Sequence, residues 1–108
     1  MKSFIFNENK VCVNPSIFNV IKPERSKFLQ ILTAEKNGKW SYGINAYIQN
    51  PYWGLSYPAC DSANLKYDTE EEAIKFALNY IVKICDIPLF FKKIINLKLS
   101  ELSQLKLF

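Results

Sequence analysis

Cys12, Cys60 and Cys85 are the only thiols in this chain, and it contains no histidine. A thiol acts as a nucleophile when a neighbouring base takes its proton, and imidazole is the usual base. A zinc site would need all three cysteines together, yet they lie far apart in sequence. Their odd number and wide spacing also fail to make a disulfide framework. Cys85 falls on the apolar side of a predicted helix, where a thiol packs as a small hydrophobe. The other reactive groups are carboxylates: Asp61, Asp68 and the run Glu70-Glu71-Glu72. Paired carboxylates can do acid/base work or hold a metal. At consecutive helical positions, however, they point in different directions. Helix capping and the helix dipole account for them without any chemistry. Neither Gly-x-Ser-x-Gly nor a Gly-rich phosphate loop is present. The expectation is a protein that is not an enzyme and uses no metal and no cofactor.

Aromatic side chains are the more suggestive set. Trp40, Tyr42, Tyr47, Tyr52, Trp53 and Tyr57 fall close together in a chain with 15% aromatic residues. Their value depends on which face each one takes, and that depends on the strands beneath them.

Lys27–Glu35 and Lys39–Ile48 read as two strands of a hairpin. Asn37-Gly38 between them favours a two-residue type I′ turn. Pairing Lys36 with Lys39 then sets the register. Glu35 faces Trp40, Thr33 faces Tyr42, Ile31 faces Ile44 and Leu29 faces Ala46, giving one mostly apolar face. Gln30 with Asn45, Leu32 with Gly43, and Ala34 with Ser41 make the other. Phe28, Leu29, Ile31 and Leu32 also fit a helical stripe over Pro23–Lys36, and the turn signal favours the strand. Tyr52–Tyr57 reads as a third strand, with Trp53, Leu55 and Tyr57 pointing to the apolar face. Trp40, Tyr42, Trp53 and Tyr57 are therefore core residues. Tyr47 and Tyr52 belong to the opposite face, with Asn45, Gln49 and Ser56.

Asp68 or Thr69 caps a helix running to Asp86, with Glu72 completing a capping box from Thr69. Ala73, Ile74, Ala77, Leu78, Ile81, Val82 and Cys85 form its apolar stripe. Pro88 ends the segment. Beyond it, Phe91, Ile95, Leu99 and Leu102 follow helical spacing, and Ser100 is placed to cap a separate last segment. Ahead of the hairpin, Ser3–Val13 reads as two short strands around Asn7-Glu8-Asn9, with Phe4, Phe6, Val11 and Val13 on one face. Residues Ile17–Lys22 have no decided type.

The expected fold is α+β: an antiparallel sheet packed on one main helix, with a helical C-terminal tail. The expected organisation is one domain over residues 1–108, with an N-terminal hairpin and connector (1–26), a βββα unit (27–86) and the tail (87–108). No apolar run is long enough for a signal peptide or a membrane span, so the expected compartment is the cytoplasm.

The run Tyr57-Pro58-Ala59-Cys60, followed by Tyr67-Asp68-Thr69-Glu70-Glu71-Glu72-Ala73-Ile74, resembles the HicB-type antitoxins. Those proteins carry strands, a Pro…Cys loop and then Thr-x-x-Glu-Ala opening a helix. The resemblance covers about a third of the chain. The loop is longer here, Ala59 stands where the family has glycine, and an additional strand intervenes. The β-β-β-α order also looks like double-stranded-RNA-binding domains, but their basic helix start is acidic here. Small size, Lys/Asn/Ile-rich composition and the lack of a catalytic set look like small proteins of phages and mobile elements. The resemblance implies a binding protein, antitoxin-like or an anti-defence inhibitor such as an anti-CRISPR.

Net charge is +4 and unevenly spread. Residues 1–27 carry five basic and two acidic groups, and residues 87–108 carry four and one. Residues 68–86 carry two basic and five acidic groups. Arg25 is the single arginine, so the chain is poor in the side chain best suited to phosphate forks. Two surfaces compete as binding sites. Tyr47, Tyr52, Asn45 and Gln49 on the free sheet face suit a protein partner. Lys22, Arg25, Lys27, Lys92, Lys93 and Lys98 suit nucleic acid or an acidic surface. Exposed sheet aromatics could also stack on single-stranded bases. The apolar tail adds homodimerisation or docking on a partner helix.

Overall fold

The computed structural model of the chain describes residues 3–49, 52–59, 66–84 and 87–105. Four strands form one antiparallel sheet in chain order: β1 (Ser16–Ile21), β2 (Lys27–Lys36), β3 (Lys39–Ile48) and β4 (Trp53–Tyr57). Two helices follow, α1 (Glu70–Ile84) and α2 (Leu89–Leu105). The α+β class expected from the sequence is what the chain adopts, and the undecided segment after Pro15 is strand β1.

The β2–β3 hairpin has the register the Asn-Gly turn dictates. Lys36 pairs with Lys39, Thr33 with Tyr42, Ile31 with Ile44 and Leu29 with Ala46. Asn37 and Gly38 both have positive φ, 56° and 81°. A type I′ turn requires that at both central positions. This fixes which side chains face the helices. Leu29, Ile31, Ile44, Ala46 and Ile48 are buried on that front face. They meet Ala73, Ile74, Ala77, Leu78 and Ile81 of α1, and Phe91, Ile95 and Leu102 of α2. The stripe read from the sequence is thus the packed face of α1. Cys85 lies outside the described residues, as do Cys60 and Asp61.

The start of α1 is tied to the hairpin. The Trp40 N–H donates to the Tyr67 carbonyl at 2.7 Å, and Lys39 pairs with Asp68. Thr69 Oγ1 accepts the Glu72 N–H at 3.1 Å. Glu72 Oε2 in turn accepts the Asp68 N–H at 3.1 Å, one residue before the usual partner in a capping box. Glu70 also has a structural partner: the buried Thr33 hydroxyl donates to it at 2.7 Å. The acidic run therefore holds the helix start in place.

Two expectations need correction. α2 runs unbroken from Leu89 to Leu105, so Ser100 is a mid-helix residue and caps nothing. Helical spacing continues straight through it, with Leu99 and Leu102 on either side. Among the described residues, the N-terminal hairpin is not two regular strands but an isolated bridge between Phe6 and Cys12. Two backbone bonds flank this pair, Asn7 N–H to the Val11 carbonyl and Val13 N–H to the Ile5 carbonyl, and asparagine amides take up other backbone groups around it. Asn7 Oδ1 accepts the Asn9 and Val11 N–H groups, and Asn14 Oδ1 accepts the Ile5 N–H at 2.7 Å. Lys10 closes the turn at φ 64°. The longer turn opposes Phe6 to Cys12. Phe4, Phe6 and Cys12 therefore pack inward, while Val13 is exposed.

Two buried hydroxyl groups carry stability predictions. Ser41 Oγ is fully buried without a hydrogen-bond partner. Removing an unsatisfied polar atom relieves its desolvation cost, so Ser41→Ala should raise stability by about 1 kcal/mol in urea denaturation. Tyr42 is the second. Burial, then the charges its neighbours Tyr67, Tyr57 and Tyr80 would carry, push its phenol up from 10.0 to about 12. Burial first, and then Tyr57, also push Tyr67 up. Unfolded, both phenols would ionise near pH 10; folded, they hold their protons to higher pH. The Tyr42 contribution is complete below pH 10 and is lost as pH rises through about 12; that of Tyr67 is lost in the same direction. Urea midpoints of wild type should fall over that interval more steeply than those of Tyr42→Phe.

Candidate functional site

The sheet's back face divides into a covered half and an open half. Leu32 and Ala34 of β2 lie under Phe4, Phe6, Cys12 and Ala59. The chain leaving β4 crosses here, directly over Gly43. A Cβ at Gly43 would sit 2.3 Å from the Tyr57 carbonyl oxygen and 2.5 Å from the Ala59 nitrogen. Only glycine lets backbone pass backbone this closely. The Cys12 N–H then donates to the Ala59 carbonyl at 2.9 Å, fastening the N-terminal segment onto the crossing.

The open half lies at the other end of the same strands. Asn19, Gln30, Asn45 and Ser56 stand in one row across all four strands. Gln30 Nε2 donates to Asn19 Oδ1 at 2.9 Å, and Asn45 Nδ2 donates to Gln30 Oε1 at 3.4 Å. The next row is Phe28, Tyr47 and Gly54. Phe28 stacks on Tyr47 with ring centroids 5.9 Å apart. Tyr52, 78% exposed, meets Tyr47 edge-on at 5.9 Å. Its ring leans over Gly54, where the absent side chain leaves room.

These residues line an open groove of about 610 Å³: Phe28, Asn45, Ala46, Tyr47, Tyr52, Gly54, Leu55 and Ser56. None of them is charged. Amides supply both donors and acceptors, and the aromatic rings supply flat contact area.

Tyr47, Tyr52 and Asn45 are thus brought together as the alternation predicts. Gln49 is not part of the groove. It is exposed beyond the end of β3, where its N–H donates to the Ser26 carbonyl at 2.8 Å. Phe28 also belongs to the groove, beyond the residues expected from alternation. The hairpin register already held the signal, because continuing it two pairs beyond Gln30–Asn45 sets Phe28 against Tyr47.

None of the six basic residues lines this groove. Lys27 lies 5.5 Å from the Phe90 ring centroid, and Lys98 pairs with Glu101 at 3.1 Å while lying over Phe18. Lys22, Arg25 and Lys93 are exposed, and Lys92 is half-buried. Among the described residues, no group of three His, Cys, Asp or Glu side chains is placed to hold a metal ion. No helix among the described residues is long and apolar enough to cross a membrane.

No protein-family model, curated protein or solved structure matches the chain.

Proposed function

We propose that this chain is a non-catalytic binding protein that docks on a macromolecular partner through the open half of its back face. It acts by blocking or recruiting that partner, as an antitoxin-like or anti-defence inhibitor does. The observation that carries this reading is the uncharged groove built on Phe28, Tyr47 and Tyr52 beside the amide row. Interface cores favour aromatic side chains and exclude charge. A highly exposed Tyr52 next to two further rings is an apolar patch that solvent alone does not explain.

A protein partner fits this lining better than a nucleic acid does. Phosphate binding depends on lysine and arginine, and the groove presents neither. Of the six basic groups weighed for that role, Lys27 and Lys98 are already engaged by other side chains.

Affinity capture of the tagged protein from a lysate of its native host, with nuclease and in high salt, tests the reading. A protein retained in stoichiometric amount under both treatments supports it. Retention that vanishes with nuclease or salt moves the assignment to nucleic acid.

A further inference from the structure

A second concavity lies on the front of the sheet, between β3 and α1. Tyr42, Tyr67, Phe76, Asn79, Tyr80 and Lys83 line it, and it encloses about 430 Å³. That volume is ordinary for a small-molecule site. Tyr42 and Tyr67 form its inner wall, exposed by only 8% and 7%. Their ring centroids are 5.9 Å apart. Tyr67 packs against Phe76 at 4.8 Å, and Phe76 is itself 56% exposed.

The polar groups here are unusual for a surface groove. Among the described residues, no hydrogen bond engages the hydroxyl of Tyr42, Tyr67 or Tyr80. Tyr42 and Tyr67 belong to the hydrophobic core, and they also line the inner wall of this groove. Lys83 stands at the last turn of α1. The ion pairs of the described residues engage Lys39, Lys75 and Lys98, leaving Lys83 without a carboxylate. The Asn79 side-chain nitrogen donates to the Lys75 carbonyl, and the three phenols and the Lys83 ammonium supply further donors to the lining.

We propose that this groove binds a small organic anion with a planar apolar body, an aryl carboxylate being the simplest case. The Lys83 ammonium and the Tyr42 hydroxyl hold the carboxylate, and the Tyr67, Phe76 and Tyr80 rings take the flat body. Charge decides the sign of the ligand. Four aromatic rings would also suit an organic cation, but the only charge in the lining is positive. The Tyr42 phenol, held protonated to about pH 12, stays a donor at neutral pH.

The test uses three probes of one shape: phenylpropionate, phenylpropanol and phenylpropylammonium. Each is titrated into the full chain while backbone amide resonances are followed by NMR. Phenylpropionate should shift the amides of Tyr67 and of Phe76–Lys83. The alcohol should bind at least about tenfold more weakly, and the ammonium should give no saturable shift. Lys83→Gln, at an exposed position, should weaken phenylpropionate about tenfold, and Tyr42→Phe about fivefold. Equal affinity for all three probes, binding unchanged in Lys83→Gln, or no saturable shift with phenylpropionate would overturn the proposal. The groove lies on the opposite face from Tyr47 and Tyr52. A Tyr47→Ala plus Tyr52→Ala variant should therefore bind phenylpropionate like wild type, whatever becomes of the back-face reading.

Discussion

Gly43→Ala should cost at least about 3 kcal/mol in urea denaturation, a large fraction of a small domain's stability. The argument is steric. The added Cβ would lie 2.3 Å from the Tyr57 carbonyl oxygen, 2.5 Å from the Ala59 nitrogen and 2.8 Å from the Pro58 carbonyl carbon. All three are backbone atoms, so no side chain can turn aside to make room. Relief requires lifting the chain after β4 off the back face. That movement also breaks the Cys12–Ala59 hydrogen bond and uncovers Ala34 and Leu32. Hydrogen exchange should show the Cys12 amide losing protection first. Gly54→Ala provides the contrast within the same sheet. Its nearest neighbours would be the Ala46 carbonyl at 3.6 Å and the Tyr52 hydroxyl at 4.0 Å, both ordinary contacts. It should change stability by less than about 0.5 kcal/mol.

Phe91→Ala should cost about 4 kcal/mol. Phe91 is fully buried and belongs to the largest side chains of the core. It meets Trp53 edge-on at 6.1 Å and Phe90 at 5.1 Å. One ring near the start of α2 thus reaches the last strand of the sheet. Truncation leaves a cavity between a helix and a strand, which backbone movement can close only in part. Phe91→Leu keeps most of the volume and should cost about 1.5 kcal/mol by the same measurement.

The local signals that proved readable are those with one physical solution. Asn37-Gly38 admits a type I′ turn, the turn sets the register, and the register assigns every β2 and β3 side chain to a face. Thr69 and Glu72 mark the start of α1 in the same way. The N-terminal segment resisted such reading because its asparagines bond to backbone across a turn closed by a left-handed lysine. Alternation therefore gives the wrong partners for Phe4 and Phe6. Half of the back face is covered as a consequence, which strand periodicity alone does not reveal. Gly43 carried a usable signal, since glycine at the centre of a strand often marks a close backbone approach. What crosses it depends on contacts distant in sequence. The groove was legible for Tyr47, Tyr52 and Asn45. Gln49, past the end of β3, follows the alternation but lies outside the groove.

Tyr47 and Tyr52 are the proposed anchors of the partner. The most direct measurement is parallel capture with wild type and with the Tyr47→Ala plus Tyr52→Ala variant, both shown to be folded by circular dichroism. Both captures include nuclease and high salt. Wild type should retain one protein in stoichiometric amount, and the variant should retain none of it. The same protein retained equally by both would contradict that assignment.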